Sequence, residues 1–280
     1  MSIHNIIKLL LSVFMLVCTS VDANDRSASR GYTFGVFPYL TSDHMYEIYS
    51  PLNDRLNEAL QSNSKFTTES SHRKFIHKLN NEVYDFALIP PFWYPVAVDK
   101  KNYIALLKMK EPFSALVVTL DESAIHSIKD LKGKLVATPP VFAPVVSLAI
   151  SEMVKHGMVP SIDFKLQANE TADACLRKVI EAKASACITP PYVPLFMEKH
   201  MQVKFRTVLT SSSIPSVSLV VHSRVADSDR EKIKNVFEEL AQTDKGRSIL
   251  EIIQTKGFIP INDAEFDIVR HLLENNRPLH

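Results

Sequence analysis

Residues 88–95 read LIPPFWYP, an apolar run that stops at two prolines and continues through three aromatics to a third proline. The phrase has two echoes, ATPPVFAP at 137–144 and ITPPYVP at 188–194. Proline fixes φ and carries no N–H, so each phrase ends a segment in a stiff turn with few backbone donors. Three exits of the same kind in one chain read as three strands ending against a shared cleft.

Working outward, short β-rich runs alternate with amphipathic helical stretches from Gly31 onward. YTFGVFPYL (32–40) reads as a strand with a turn at Pro38, and 43–64 as a helix whose stripe is Tyr46, Tyr49, Leu52, Leu56 and Leu60. Pro51 is expected to kink that helix or divide it. KFTTES (65–70) is a second strand, 71–82 a second helix, and YDFALI (84–89) the strand that ends at the first double proline. This β-α-β-α-β order implies a parallel sheet with helices on its faces. FSALVVTL (113–120) and SVSLVVHS (216–223) are the most β-branched runs and read as strands crossing between two lobes, with a second alternating unit between them. Helices are expected at about 228–241, at 244–255 and from Asp263. The segment after the second crossing has no strand partner of its own and is expected to return to the first lobe.

A chain of 280 residues suits two lobes. The boundaries read as 31–116 with 217–280 for the first lobe and 117–216 for the second. A formal net charge of +1, with basic and acidic residues interspersed, argues against a dedicated nucleic-acid surface. Six glycines against sixteen prolines, and no Walker or GxGxxG string, argue against a phosphate-cradling loop. No zinc-helix or nucleophile-elbow motif is present either, so neither an enzyme nor a cofactor is expected.

Residues 1–23 read as a signal peptide: Lys8 precedes an apolar run, and Val21, Asp22 and Ala23 form a cleavage site. Lipidation at Cys18 is the weaker alternative, and the periplasm the expected compartment. Export leaves Cys175 and Cys187 as an even pair in an oxidising environment. Helix-to-strand placement fits a disulfide, and two buried free thiols fit equally well. No metal site is expected, because the pair has no obvious histidine partners.

The order of these phrases resembles the type 2 periplasmic solute-binding proteins, the receptors of ABC importers. SIKDLKGKLVAT at 127–138 matches the phrase that opens that family's second lobe. Within the superfamily, three further stretches, 34–60, 72–97 and 175–196, are similar to the phosphate/phosphite/phosphonate-binding branch. The resemblance implies a two-lobed α/β fold, each lobe a mostly parallel sheet flanked by helices, with two crossing strands at the hinge. It also implies a small-molecule ligand, a membrane permease (or, alternatively, a membrane sensor) as partner, and a monomer.

The family's ligand loops follow the strand ends, which nominates Tyr39, Thr41 and Ser42; Trp93 and Tyr94; Thr138; Tyr192; and Ser213. Thr41 or Ser42 could cap the helix that follows and leave its N–H groups to an anion. Three successive aromatics at 92–94 cannot all point inward, so Trp93 or Tyr94 is expected to face the cleft. Arg73 follows the second strand and could pair with an anionic ligand, although a solvated helix-start charge is the commoner role. The fourth loop departs from the branch pattern: TPPVFAP stands where a hydroxyl-rich turn is expected. A tetrahedral oxyanion needs several convergent donors, so the departure argues against phosphonate as the ligand.

Overall fold

The computed structural model describes residues 31–141 and 143–275. The expected signal peptide, Cys18 and Phe142 lie outside the described residues. The described residues form two sheets, one of six strands and one of five.

In the first sheet β1 (Thr33–Val36), β2 (Lys65–Thr67) and β3 (Phe86–Ile89) run parallel. β3 is buried at every position, which is why it reads as an unbroken apolar run rather than an alternating one. Phe34 and Phe86, paired in register, stack at 5.0 Å. β10 (Ser218–His222) lies antiparallel between β3 and β4 (Tyr103–Met109).

The helix α1 (Ser42–Leu60) covers one face through Met45, Ile48, Tyr49, Leu52, Leu56 and Leu60. Tyr46, expected on that stripe, is 44% exposed and only its ring edge meets Phe66. Pro51 lies inside α1 without dividing it. The carbonyl left without its donor belongs to Glu47, on the exposed side of the helix. The second helix, α2 (His72–Asn80), starts at Ser71, whose side chain accepts from the Lys74 N–H.

In the second sheet β6 (Leu135–Thr138) runs parallel to β7 (Lys165–Ala168) and β8 (Ala186–Thr189). β5 (Leu116–Leu120) is antiparallel to β8 and to β9 (Phe205–Thr210). The chain crosses between sheets at 109–116 and again at 210–218. Phe113 and Ile214 exchange two backbone hydrogen bonds of 2.9 Å, tying one crossing to the other.

After the second crossing α7 (Asp227–Glu239) and α8 (Asp244–Ile252) pack on the first lobe, and α9 (Asp267–Asn275) ends the described chain. The strand of this segment finds its partner in the first sheet. β11 (Phe258–Pro260) pairs antiparallel with β4 and forms the edge of the first sheet.

Cys175 on α5 (Ala172–Ile180) and Cys187 on β8 form a disulfide with a Cα–Cα distance of 5.7 Å, both residues fully buried. The bridge spans a sequence separation of 12. Replacing both cysteines by alanine should therefore lower the unfolding free energy by about 3 kcal/mol through the unfolded chain's regained freedom. Urea titration of the variant checks this; a loss below about 1 kcal/mol would contradict it.

Candidate functional site

The three double-proline turns all begin helices. Pro90 and Pro91 lead through a short turn into α3 (Tyr94–Lys100), and α4 (Pro144–Lys155) follows the turn after β6. Pro191 precedes α6 (Tyr192–Met201). None of these starts has a side-chain cap. Helix starts normally present unpaired N–H groups, and here proline removes several of them. The strand-end hydroxyls are taken up as well. Thr138 donates to the Pro139 carbonyl at 2.6 Å and Thr189 to the Pro190 carbonyl at 3.2 Å, both side chains fully buried. Thr138, expected to face a ligand, is thereby turned inward onto its own turn.

Tyr39 and Tyr192 do meet, one from each lobe, with ring centroids 4.7 Å apart. The Tyr39 hydroxyl donates to the Tyr49 hydroxyl at 3.1 Å. Burial pushes all three phenols well above their ordinary range, so they stay neutral donors and acceptors at any physiological pH. The cavity they line, floored by Val36, Leu88 and Met109, is only about 20 Å³. That is room for a single water.

Larger spaces lie beside it. Phe37 lines the small cavity, and its ring packs on His72 at 4.5 Å. His72 opens onto a cavity of about 340 Å³ where Ser71 and Arg73 face Pro140, Asn169 and Glu170 of the second lobe. Arg73 also lines the next cavity, about 430 Å³, with Trp93, Phe92, Ile76 and Pro144. Of the three successive aromatics, Phe92 and Tyr94 are buried and Trp93 is the one left partly exposed. Tyr94 points away from the cleft: it stacks on Phe266 at 3.7 Å and donates to Asp263 at 2.8 Å.

The other nominated residues are scattered. Thr41 holds the N-cap position of α1, but its hydroxyl meets the His44 ring nitrogen at 3.1 Å instead of a helix N–H. Neither Thr41 nor Ser42 is in the tyrosine cavity; their turn packs on the second lobe, where His44 lies 3.9 Å from Asp173 and edge-on to Phe196. Ser213 lines a third cavity of about 740 Å³ on the hinge side, with Glu152, Lys155 and Ser212. Sequence reasoning left out Phe37, Tyr49 and Glu170. Only the fold brings them to the cleft, although the position of Glu170 just before a helix start was a usable signal. Among the described residues no cluster of three or more His, Cys, Asp or Glu side chains could hold a metal ion.

Two sheets joined by paired crossings, with tyrosines meeting between them, form a receptor-like cleft. The family model described as "ABC transporter, phosphonate, periplasmic substrate-binding protein" matches residues 34–266. The chain belongs to this family. Its members are substrate-binding receptors of ABC transporters rather than enzymes. Among solved structures, a binding component of an ABC phosphonate transporter from Pseudomonas aeruginosa is 15% identical with a TM-score of 0.75, covering 90% of this chain and 91% of its own. A Prochlorococcus marinus protein solved with methylphosphonate is 13% identical, also with a TM-score of 0.75, covering 87% and 97%. The periplasmic aliphatic sulphonate-binding protein of Escherichia coli is 13% identical with a TM-score of 0.60, covering 88% and 87%. No curated relative matches the sequence. At these identities the structures share the fold, and the family, whose description names phosphonate, gives a solute-binding role.

Proposed function

We propose that this protein is the exported, monomeric receptor of an ABC importer. It closes two lobes, divided after residues 116 and 216, on a small organic solute and passes that solute to a membrane permease. Export rests on the cleavage site near Ala23. Hinge closure is supported by the two crossings at 109–116 and 210–218, tied together through Phe113 and Ile214. Tyr39 and Tyr192 would report closure from the two sides, and Trp93 would line the ligand space.

The observation that carries the choice of solute is the loss of donors at all three proline turns. A phosphonate dianion taken out of water there would meet helix starts from which proline has removed N–H donors, and strand-end hydroxyls of Thr138 and Thr189 already bonded to their own turns. A thermal-shift panel of phosphate, methylphosphonate, amino acids, amines and aromatic acids tests this. A cognate solute at ~100 times its dissociation constant should add about 2.7 kcal/mol to stability. The organic solutes should give the largest shift, and a maximal response to methylphosphonate would refute the reading.

A further inference from the structure

The 340 and 430 Å³ cavities share one residue, Arg73. It is exposed and makes no hydrogen bond or ion pair with any described residue, unlike its neighbour Lys74, which reaches Ser70 at 2.9 Å. Its place in the first turn of α2 does not favour a cation, since a helix start stabilises negative charge, and the first turn of α2 holds no acidic residue. Across the polar cavity stands Glu170 of the second lobe, which is also exposed and also without a partner among the described residues. Two opposite charges thus face one space from different lobes without meeting. On the other side of Arg73 the walls turn apolar, with Trp93, Phe92, Ile76 and Pro144.

We propose that this junction binds a zwitterion with an apolar or aromatic substituent, an α-amino acid in its simplest form. The carboxylate pairs with Arg73, whose planar fork suits a two-oxygen anion. The ammonium turns into the polar cavity toward Glu170, and the side chain turns into the apolar one against Trp93. A phosphonate dianion fits less well, because a single guanidinium would face two charges while Glu170 repels them. The ligand would bridge the lobes, Arg73 on one and Glu170 on the other, so binding would favour closure. The inference rests on the receptor reading and adds its solute class.

The test is calorimetric titration of the purified protein with L-phenylalanine, 3-phenylpropionate and 2-phenylethylamine, which share a side chain but carry both charges, only the anion or only the cation. L-phenylalanine should bind about tenfold or more tighter than either analogue. Arg73→Gln should weaken L-phenylalanine and 3-phenylpropionate by a similar factor and leave 2-phenylethylamine almost unchanged. Glu170→Gln should do the reverse for the two analogues. Both side chains are exposed, so the variants should melt as the parent does without ligand. Equal binding of the three compounds, or variants that bind L-phenylalanine like the parent, would overturn the assignment. Preference for methylphosphonate over all three would overturn the zwitterion and leave the receptor reading standing. No binding by any solute of the thermal-shift panel would remove both.

Discussion

Tyr94→Ala is expected to lower the unfolding free energy by about 3–5 kcal/mol, the range for deleting a buried aromatic side chain. The residue is 1% exposed and holds together parts of the chain far apart in sequence. Its ring stacks on Phe266 with planes 15° apart, and its hydroxyl donates to Asp263. Arg270 completes the cluster, with its guanidinium carbon 5.9 Å from the Tyr94 ring centre and bonds to Asp99 and Asp263. The bond from Arg270, aided by the Tyr94 hydroxyl, holds the Asp263 carboxyl below its usual range. Tyr94→Phe separates the contributions: it keeps the stack, loses one hydrogen bond and should cost only about 1 kcal/mol, because Arg270 still serves Asp263. Urea titrations of both variants decide the matter. A loss under about 1.5 kcal/mol for the alanine variant would mean that the C-terminal segment is held mainly by β11.

The second large effect is acid sensitivity at His72. Burial pushes its imidazole down to about 4, with a hydrogen bond to the Pro38 backbone pulling weakly the other way. In the unfolded chain the group titrates near 6.5. Above that pH neither state holds the extra proton and His72 adds no pH dependence. As pH falls from about 6.5 toward 4 the unfolded chain takes up the proton first, so stability drops, and below 4 the loss is complete. The full difference is roughly 3 kcal/mol. His72→Gln removes the titration. The fall in unfolding free energy between pH 7 and pH 4 should therefore be smaller in the variant by roughly that amount. Equal falls in the two proteins would show that His72 is not the group responsible.

Much of the architecture was legible because buried parallel strands such as β3 leave unbroken apolar runs and the double prolines mark where they stop. The edges were not. β11 is three residues long and ends in proline, too little pattern to announce a partner. In α1 the stripe had to be chosen between Met45 and Tyr46, and the helical spacing to Ile48, Tyr49 and Leu52 selects Met45, which leaves the more conspicuous tyrosine outside. The Cys175–Cys187 spacing allowed both thiols and a bridge, and only the placement of α5 against β8 decides it. The candidate site was legible residue by residue rather than as a constellation. Tyr39, Trp93, Tyr192 and Arg73 each stood out as side chains at strand ends. Whether a side chain points into the cleft depends on a local rotation that no composition reveals, as the neighbours Trp93 and Tyr94 show. That Arg73 and Glu170 line one cavity comes from the approach of two separate sheets.

The strand order also sets a timetable for folding. Every strand of the second sheet comes from one uninterrupted stretch, 116–210, so none of its pairings has to wait for a strand of the first sheet. The first sheet cannot form its interior until β10 is available to lie between β3 and β4, and its edge waits for β11. Bringing β10 to β3 requires closing a loop that contains the entire second lobe, and long-range pairing of that kind is slow. The second sheet can therefore form without the first, whereas the interior of the first is completed only once the chain has passed through the second lobe. A chain truncated before Ser218 would keep every strand of the second sheet and lack an interior strand of the first.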